Sequence, residues 1–295
     1  FDARDYMWME AGAVIDADGA GYGQNAAPPG CTMPGTAGGG VHGGGANGAA
    51  CGSFEWPTYM GGGGRSWAAG AGNGGGAVQL LASSRPASEL VINGTVSASG
   101  NAGGGSYSGS GGGGAGGSIA VNASRGLFGT GTLRVNGNRG GSSGRSLSYD
   151  GYRGNGGRLA VHVASTSYTR DDFAGSVQAY ASSSGPVRTW VSPGTVFWCL
   201  RAGSRLAELG NDTAGNPYGC GTRRLEIDNN GYNLYSAASP TSASAQLSDP
   251  GRTFYELDEV DIRGNGALSV HTQAEFNAAT RPDARVQLVL SLIHI

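Results

Sequence analysis

The chain has 295 residues, 58 of them glycine, and a formal net charge of −2. Glycine near one residue in five, with no strict triplet period and only 11 prolines, excludes collagen. The near-neutral charge gives no footing for nucleic acid, and no window approaches the roughly 18 apolar residues of a membrane span.

The first part, residues 1–73, is glycine-rich and carries one strand signal, "GAVIDADG" from Gly12. A loop bracketed by Cys31 and Cys51 follows, then Trp56, Tyr59 and Trp67 among glycines. Asp16 and Asp18 resemble the start of a calcium loop, but the closing position holds Ala27 rather than glutamate, so no metal site is expected.

Residues 74–198 show internal repeats. "GGGAVQLLA" from Gly74, "GGSIAVNA" from Gly116 and "GGRLAVHV" from Gly156 align, with strand starts Ala77, Ser118 and Arg158 spaced 41 and 40 residues apart. A second set is "GTVSASG" from Gly94, "GTLRVNG" from Gly131 and "GSVQAYA" from Gly175; the Gly12 segment fits it, and "GTVFW" from Gly194 reads as a last copy. Side chains alternate as strands require: Val78, Ile119 and Leu159 are equivalent, with Gln79, Ala120 and Ala160 pointing the other way. In the second set Val96, Leu133 and Val177 stand opposite Ser97, Arg134 and Gln178.

Stacked copies would bury each other's apolar positions at about 25 cal/mol per Å². The expectation is an all-β fold, a parallel β-helix or β-solenoid of ~40-residue glycine-rich repeats. Long glycine-rich loops and a C-terminal β cap complete it. Each repeat reads as two turns or as one larger turn. Glycine runs such as 59–76 and 108–117 are either floppy or packed as polyproline-II strands.

After residue 198 comes a Cys-bracketed insertion, 199–221, and then a C-terminal β segment or cap, 222–289. There Leu225 and Ile227, Val260 and Ile262, and Leu268 and Val270 keep short alternations. Residues 290–295, "LSLIHI", read as a translated sequencing adaptor and are set aside.

The motifs "GGGGAGGSIAV" (111–121), "GTGTLRVNGNRGG" (129–141), "PGTVFW" (193–198), "RLEIDNNG" (224–231) and "YELDEVDIRGNGALSV" (255–270) occur in this order. In this the chain resembles a family of large glycine-rich secreted repeat proteins of bacteria and unicellular eukaryotes. The 199–221 insertion departs from that pattern. The resemblance implies an extracellular β-solenoid with no reaction attached.

The four cysteines fall as two local pairs, Cys31/Cys51 and Cys199/Cys220. Local pairing is favoured over free thiols, because closing a loop of ~20 residues is worth about 3 kcal/mol. CxxC spacing for zinc is absent. Sequons at Asn93, Asn122 and Asn211 are compatible with a secreted glycoprotein.

Chemistry is sparse. Asp171 and Asp172 beside Arg170, and Asp212, are the carboxylates a polysaccharide-cleaving site would use, yet none recurs on the repeat strands, and adjacent aspartates before a strand read as a turn. All 19 basic residues are arginine, which removes one common base. The histidines, His42, His162, His271 and His294, form no cluster, and His162 reads as solvent-facing. No cofactor motif is present and no catalytic residue is assigned.

Three functions are carried forward. The first is an extracellular structural or adhesive scaffold without catalytic activity, whose partners are polysaccharide or other cell-surface proteins. The second is a carbohydrate-binding module using the loop aromatics Trp56, Tyr59, Trp67, Tyr107, Tyr149 and Tyr152. Those rings otherwise fold back as cover. The third is a polysaccharide-degrading β-helix enzyme.

Overall fold

The structure is a computed structural model. It describes residues 1–31, 40–43, 51–66, 70–106, 109–141, 153–182, 192–200, 220–230, 245–247, 254–263, 268–270 and 287–294. Strands dominate. The chain begins with β1 (Tyr6–Met9) and β2 (Val14–Asp16), followed by β3 (Ala77–Ala82), β4 (Glu89–Ile92) and β5 (Thr95–Ser97). A small hairpin, β6 (Gly105–Ser106) and β7 (Gly109–Ser110), precedes β8 (Ser118–Ala123), β9 (Gly126–Phe128) and β10 (Thr132–Arg134). Next come β11 (Arg158–Val163), β12 (Ser176–Gln178), β13 (Thr195–Leu200) and β14 (Thr222–Asp228). The last are β15 (Ala245–Leu247), β16 (Phe254–Arg263), β17 (Leu268–Val270) and β18 (Gln287–His294). Helix among the described residues is confined to the 3-10 turn Arg170–Asp172.

Three larger sheets result, with strand orders β1-β4-β9, β12-β10-β5-β2 and β18-β16-β14-β13-β11-β8-β3. Positions that align in the sequence stand side by side: Val78, Ile119, Leu159 and Val196 form one row, and Leu80, Val121, Val161 and Trp198 the next. These rows face inward and meet Leu90, Ile92 and Leu127 from the first sheet and Val96 and Leu133 from the second, all in one buried cluster. Each such side chain, fully buried, contributes about 1.5–3 kcal/mol relative to exposure.

The expected β-helix or β-solenoid does not describe this arrangement. The sheets have three, four and seven strands and do not extend together. The seven-stranded sheet is mixed, because β14 pairs antiparallel with β13 while its other neighbours are parallel. The core also changes face at that reversal. Val196, Trp198 and Leu200 of β13 belong to the first cluster, whereas Phe197 and Cys199 join Leu225, Ile227, Leu257 and Val260 in a second one. One apolar interior therefore does not continue through the chain: two cores lie on opposite faces of one sheet.

The second core also covers β11. Phe54 sits edge-on to Phe197, with ring centroids 5.3 Å apart, and packs with Ala160. This cover comes from the first part of the chain, and the Cys31–Cys51 disulfide pins it. All six residues of β11 are consequently buried, Arg158 and His162 included.

Where described, the glycine runs pack as extended segments against one another. Gly61 and Gly64 N–H groups donate to the Gly75 and Gly72 carbonyls; Gly72 and Gly75 donate to Gly112 and Ala115; Gly112 and Ala115 donate to Arg65 and Gly62. Bonds recur at every third residue, the period of a polyproline-II helix, which has about three residues per turn and no internal hydrogen bonds. Neighbouring segments thus satisfy one another's backbone groups, as burial demands. Glycine is required by contact: a Cβ on Gly114 would fall on the carbonyl of Asn73, and one on Gly154 on that of Gly114.

Candidate functional site: a polar groove

The outward face of the four-stranded sheet carries a groove. Past the ends of β5 and β10 the backbone pairing goes on, with Ala98 and Gly100 N–H donating to the Arg134 and Asn136 carbonyls. Val135 and Gly137 do the same to Gln178 and Tyr180 beyond β12. Because side chains alternate along extended chain, polar residues at every second position share one face. Ser97, Ser99 and Asn101 form one such line, Arg134, Asn136 and Asn138 the second, and Gln178, Tyr180 and Ser182 the third. Val96, Ala98, Leu133, Val135 and Ala179 between them point into the core.

The groove has a volume of about 310 Å³ and is lined by Asp18, Ser99, Asn101, Arg134, Asn136, Asn138, Tyr180 and Ser182, with small residues between. Its side chains hold one another. Asn136 Nδ2 donates to Gln178 Oε1 at 3.0 Å, and Asn136 Oδ1 accepts the Tyr180 N–H at 2.8 Å. Asn138 Nδ2 donates to the Gly100 carbonyl at 2.9 Å. Asp18 Oδ1 accepts from the Ser97 hydroxyl and, at 2.6 Å, from the Ser99 N–H. Arg134 Nε donates to Ser97 Oγ at 2.8 Å, and its Nη2 lies 3.5 Å from Asp18 Oδ2. Charge in the groove is therefore paired, and the Asn136 and Asn138 amides are fixed in place before any ligand arrives.

The loop aromatics do not converge as far as they are described. Trp56 is half-buried, edge-on to the His162 ring at 5.1 Å, and so forms part of the cover over β11. Tyr59 is exposed, and its carbonyl accepts the Ser118 hydroxyl. Trp67, Tyr107, Tyr149 and Tyr152 lie outside the described residues, as do Asn211, Asp212 and His271. Of the sequons, Asn93 is half-buried with Oδ1 accepting the Thr130 N–H at 3.2 Å. Asn122 lies mid-sheet between Leu81 and His162. Both predicted disulfides are formed, Cys31–Cys51 and Cys199–Cys220.

Asp171 and Asp172 are exposed at the 3-10 turn. Asp172 Oδ2 accepts the Thr169 N–H at 2.6 Å, an arrangement that caps the turn. Arg170 turns away from both. Its guanidinium lies 4.6 Å over the Trp198 ring and 3.3 Å from Glu226 Oε1. Glu226 also meets Arg224 at 3.0 Å and Arg263 at 3.5 Å; Arg224 bonds Glu259 and Asp261, each at 3.1 Å. The carboxylates closest to a paired arrangement, Glu226 and Asp261 on adjoining strands, are thus bound up in ion pairs that close the end of the first core.

The expectation that His162 faces solvent is corrected: it is buried, and Nε2 donates to the Glu55 carbonyl at 2.6 Å. Burial lowers its pKa to about 4. His42 is buried too, with Nδ1 3.0 Å and 3.1 Å from the Gly116 and Gly117 carbonyls, so that nitrogen carries the proton. Burial, and then the nearby Arg158 charge, lower its pKa to about 3. Ligand atoms of His162, Cys199 and Cys220 lie within 4.8 Å of one another, but the two sulfurs are joined to each other.

Sequence reasoning passed over the groove. Its signal was present as polar residues at alternating positions after each strand of the second set, "SxSxN", "RxNxN" and "QxYxS". It also passed over Tyr6 and Trp8 of β1, 63% and 57% exposed. Among the described residues, no helix is long and apolar enough to cross a membrane, and the two disulfides are compatible with an extracellular protein. No family model, no curated protein and no solved structure matches the chain.

Proposed function

We propose that the chain is an extracellular structural or adhesive scaffold without catalytic activity, and that it meets its partner through the polar groove. The observation that carries this reading is the groove itself: three lines of outward polar side chains, fixed by mutual hydrogen bonds on a rigid sheet. Pre-ordered side chains lose little entropy on binding, so such a surface suits recognition. The carboxylates nearest to a catalytic pattern are engaged elsewhere, Asp172 at its turn and Glu226 with three arginines. Disulfide pinning of long glycine-rich loops fits an oxidising compartment outside the cell.

The test is to fix the purified chain on beads and measure retention on surfaces coated with polysaccharide or with cell-surface protein, while assaying soluble polysaccharide for new chain ends. Retention without new ends is the expected result. New ends, abolished by Asp171→Asn or Asp172→Asn, would overturn the non-catalytic reading.

A further inference from the structure

We infer that the groove binds a neutral, hydroxyl-rich polysaccharide chain. This rests on the adhesive reading above and names its ligand. The chemistry of the lining selects that class. Asn101 stands at the rim, while Asn136 and Asn138, each already bonded to the protein through Nδ2 and Oδ1, keep a second N–H and a second lone pair on one planar group, which a sugar hydroxyl, donating and accepting, can use. Tyr180 adds a ring with an apolar face and a polar tip, the amphipathic counterpart of a sugar ring.

The charge of the lining disfavours anionic competitors. Among the described residues of the lining Arg134 is the one cation, and the Asp18 carboxylate stands 3.5 Å from it. Within that lining a phosphate backbone or a uronic acid chain would find one cation, already paired, and Arg153 at the edge is engaged with the Ser182 carbonyl at 3.4 Å. A protein partner would want an apolar centre, and the groove's outward face is polar. The groove lies on the outward face of the sheet and is not enclosed, so a sugar chain can enter it from solvent.

The held geometry also predicts which contacts matter. Asn136 sits centrally, tied to Gln178 and to the Tyr180 backbone, and Asn101 stands exposed at the rim. Asn136→Asp keeps the acceptor for the Tyr180 N–H, but removes the N–H groups that bond Gln178 and face a ligand, and adds a negative charge. Asn101→Ala removes one rim amide and leaves the sheet untouched.

The experiment is affinity electrophoresis of the full chain and both variants through gels holding laminarin, mannan or polygalacturonate, with melting temperatures measured in parallel. Retention by at least one neutral polymer and not by polygalacturonate is expected. Each variant should weaken that retention about tenfold, as loss of a hydrogen bond in a bound complex does, with Asn101→Ala melting like the parent. Retention by polygalacturonate alone, or equal retention of parent and both variants, would overturn the inference. In either case bead adhesion survives, whereas new chain ends would bring down the non-catalytic reading instead.

Discussion

The Arg170 guanidinium lies 4.6 Å over the ring of Trp198. That contact marks where the first core ends: Trp198 is its largest side chain on β13, and beyond that strand the same face of the sheet carries Arg224, Glu226, Asp261 and Arg263. Glu226, with a side chain only 4% exposed, is the shared counter-charge of three arginines. Removing one member of a buried ion pair leaves its partners desolvated without compensation. Glu226→Ala should therefore cost about 3–5 kcal/mol, read as a lower urea midpoint. The control is Glu89→Ala, which breaks a pair to the largely exposed Arg125 and should cost about 1 kcal/mol or less. Equal effects of the two would contradict the sealing role.

Much of the strand pattern was legible because alternation records which side chains face inward. Val78, Ile119 and Leu159 could be paired by spacing alone, and they are neighbours in the sheet. The architecture was not legible, because a repeat specifies how neighbouring strands pair but not where the series stops. The antiparallel β14, and the change of core face from Trp198 to Phe197 that accompanies it, come after the last repeat copy, where the sequence offers no further copy to read. His162 misled for a related reason. Its strand alternates as if one face met water, but Glu55 and Trp56, 107 residues away for the Glu55 contact, cover that face. Local periodicity carries no trace of so distant a cover. The groove needed both kinds of information: alternation supplied its polar lines, and pairing brought the three lines together.

Order in the glycine runs has a sharp test. Gly114→Ala would drive a methyl group into the backbone of Asn73, in a region where the neighbours are themselves backbone and cannot rotate aside. It should destabilise by about 3 kcal/mol or more, in the range of severe overpacking. Among the described residues a Cβ at Gly70 would meet nothing within 4 Å, and its φ is not positive, so Gly70→Ala should be neutral or gain about 0.4–1 kcal/mol through the unfolded chain. Urea denaturation of the two variants separates the cases; floppy glycine loops would tolerate both equally.

Mild acid should weaken the fold through two buried histidines. In the unfolded chain His42 and His162 take up protons below about pH 6.5, the ordinary histidine value, while in the fold they stay neutral down to about 3 and about 4. Below about pH 6.5 the unfolded state therefore binds more protons, and stability falls with falling pH. Above that value these two groups contribute no slope. Unfolding free energies at neutral pH and at about pH 5 should differ by on the order of 1 kcal/mol per histidine per pH unit below 6.5. His162→Gln should make the dependence shallower. A flat profile over this window would contradict the burial of both rings.

The most direct measurement of the central claim is a hydrogen-exchange footprint of the full chain with and without a retained polysaccharide. If the groove is where the partner lies, added protection should fall on residues 99–101, 134–138 and 178–182, with little change at β1. Protection confined to Tyr6–Met9, or spread over the chain without a maximum at the groove, would contradict it.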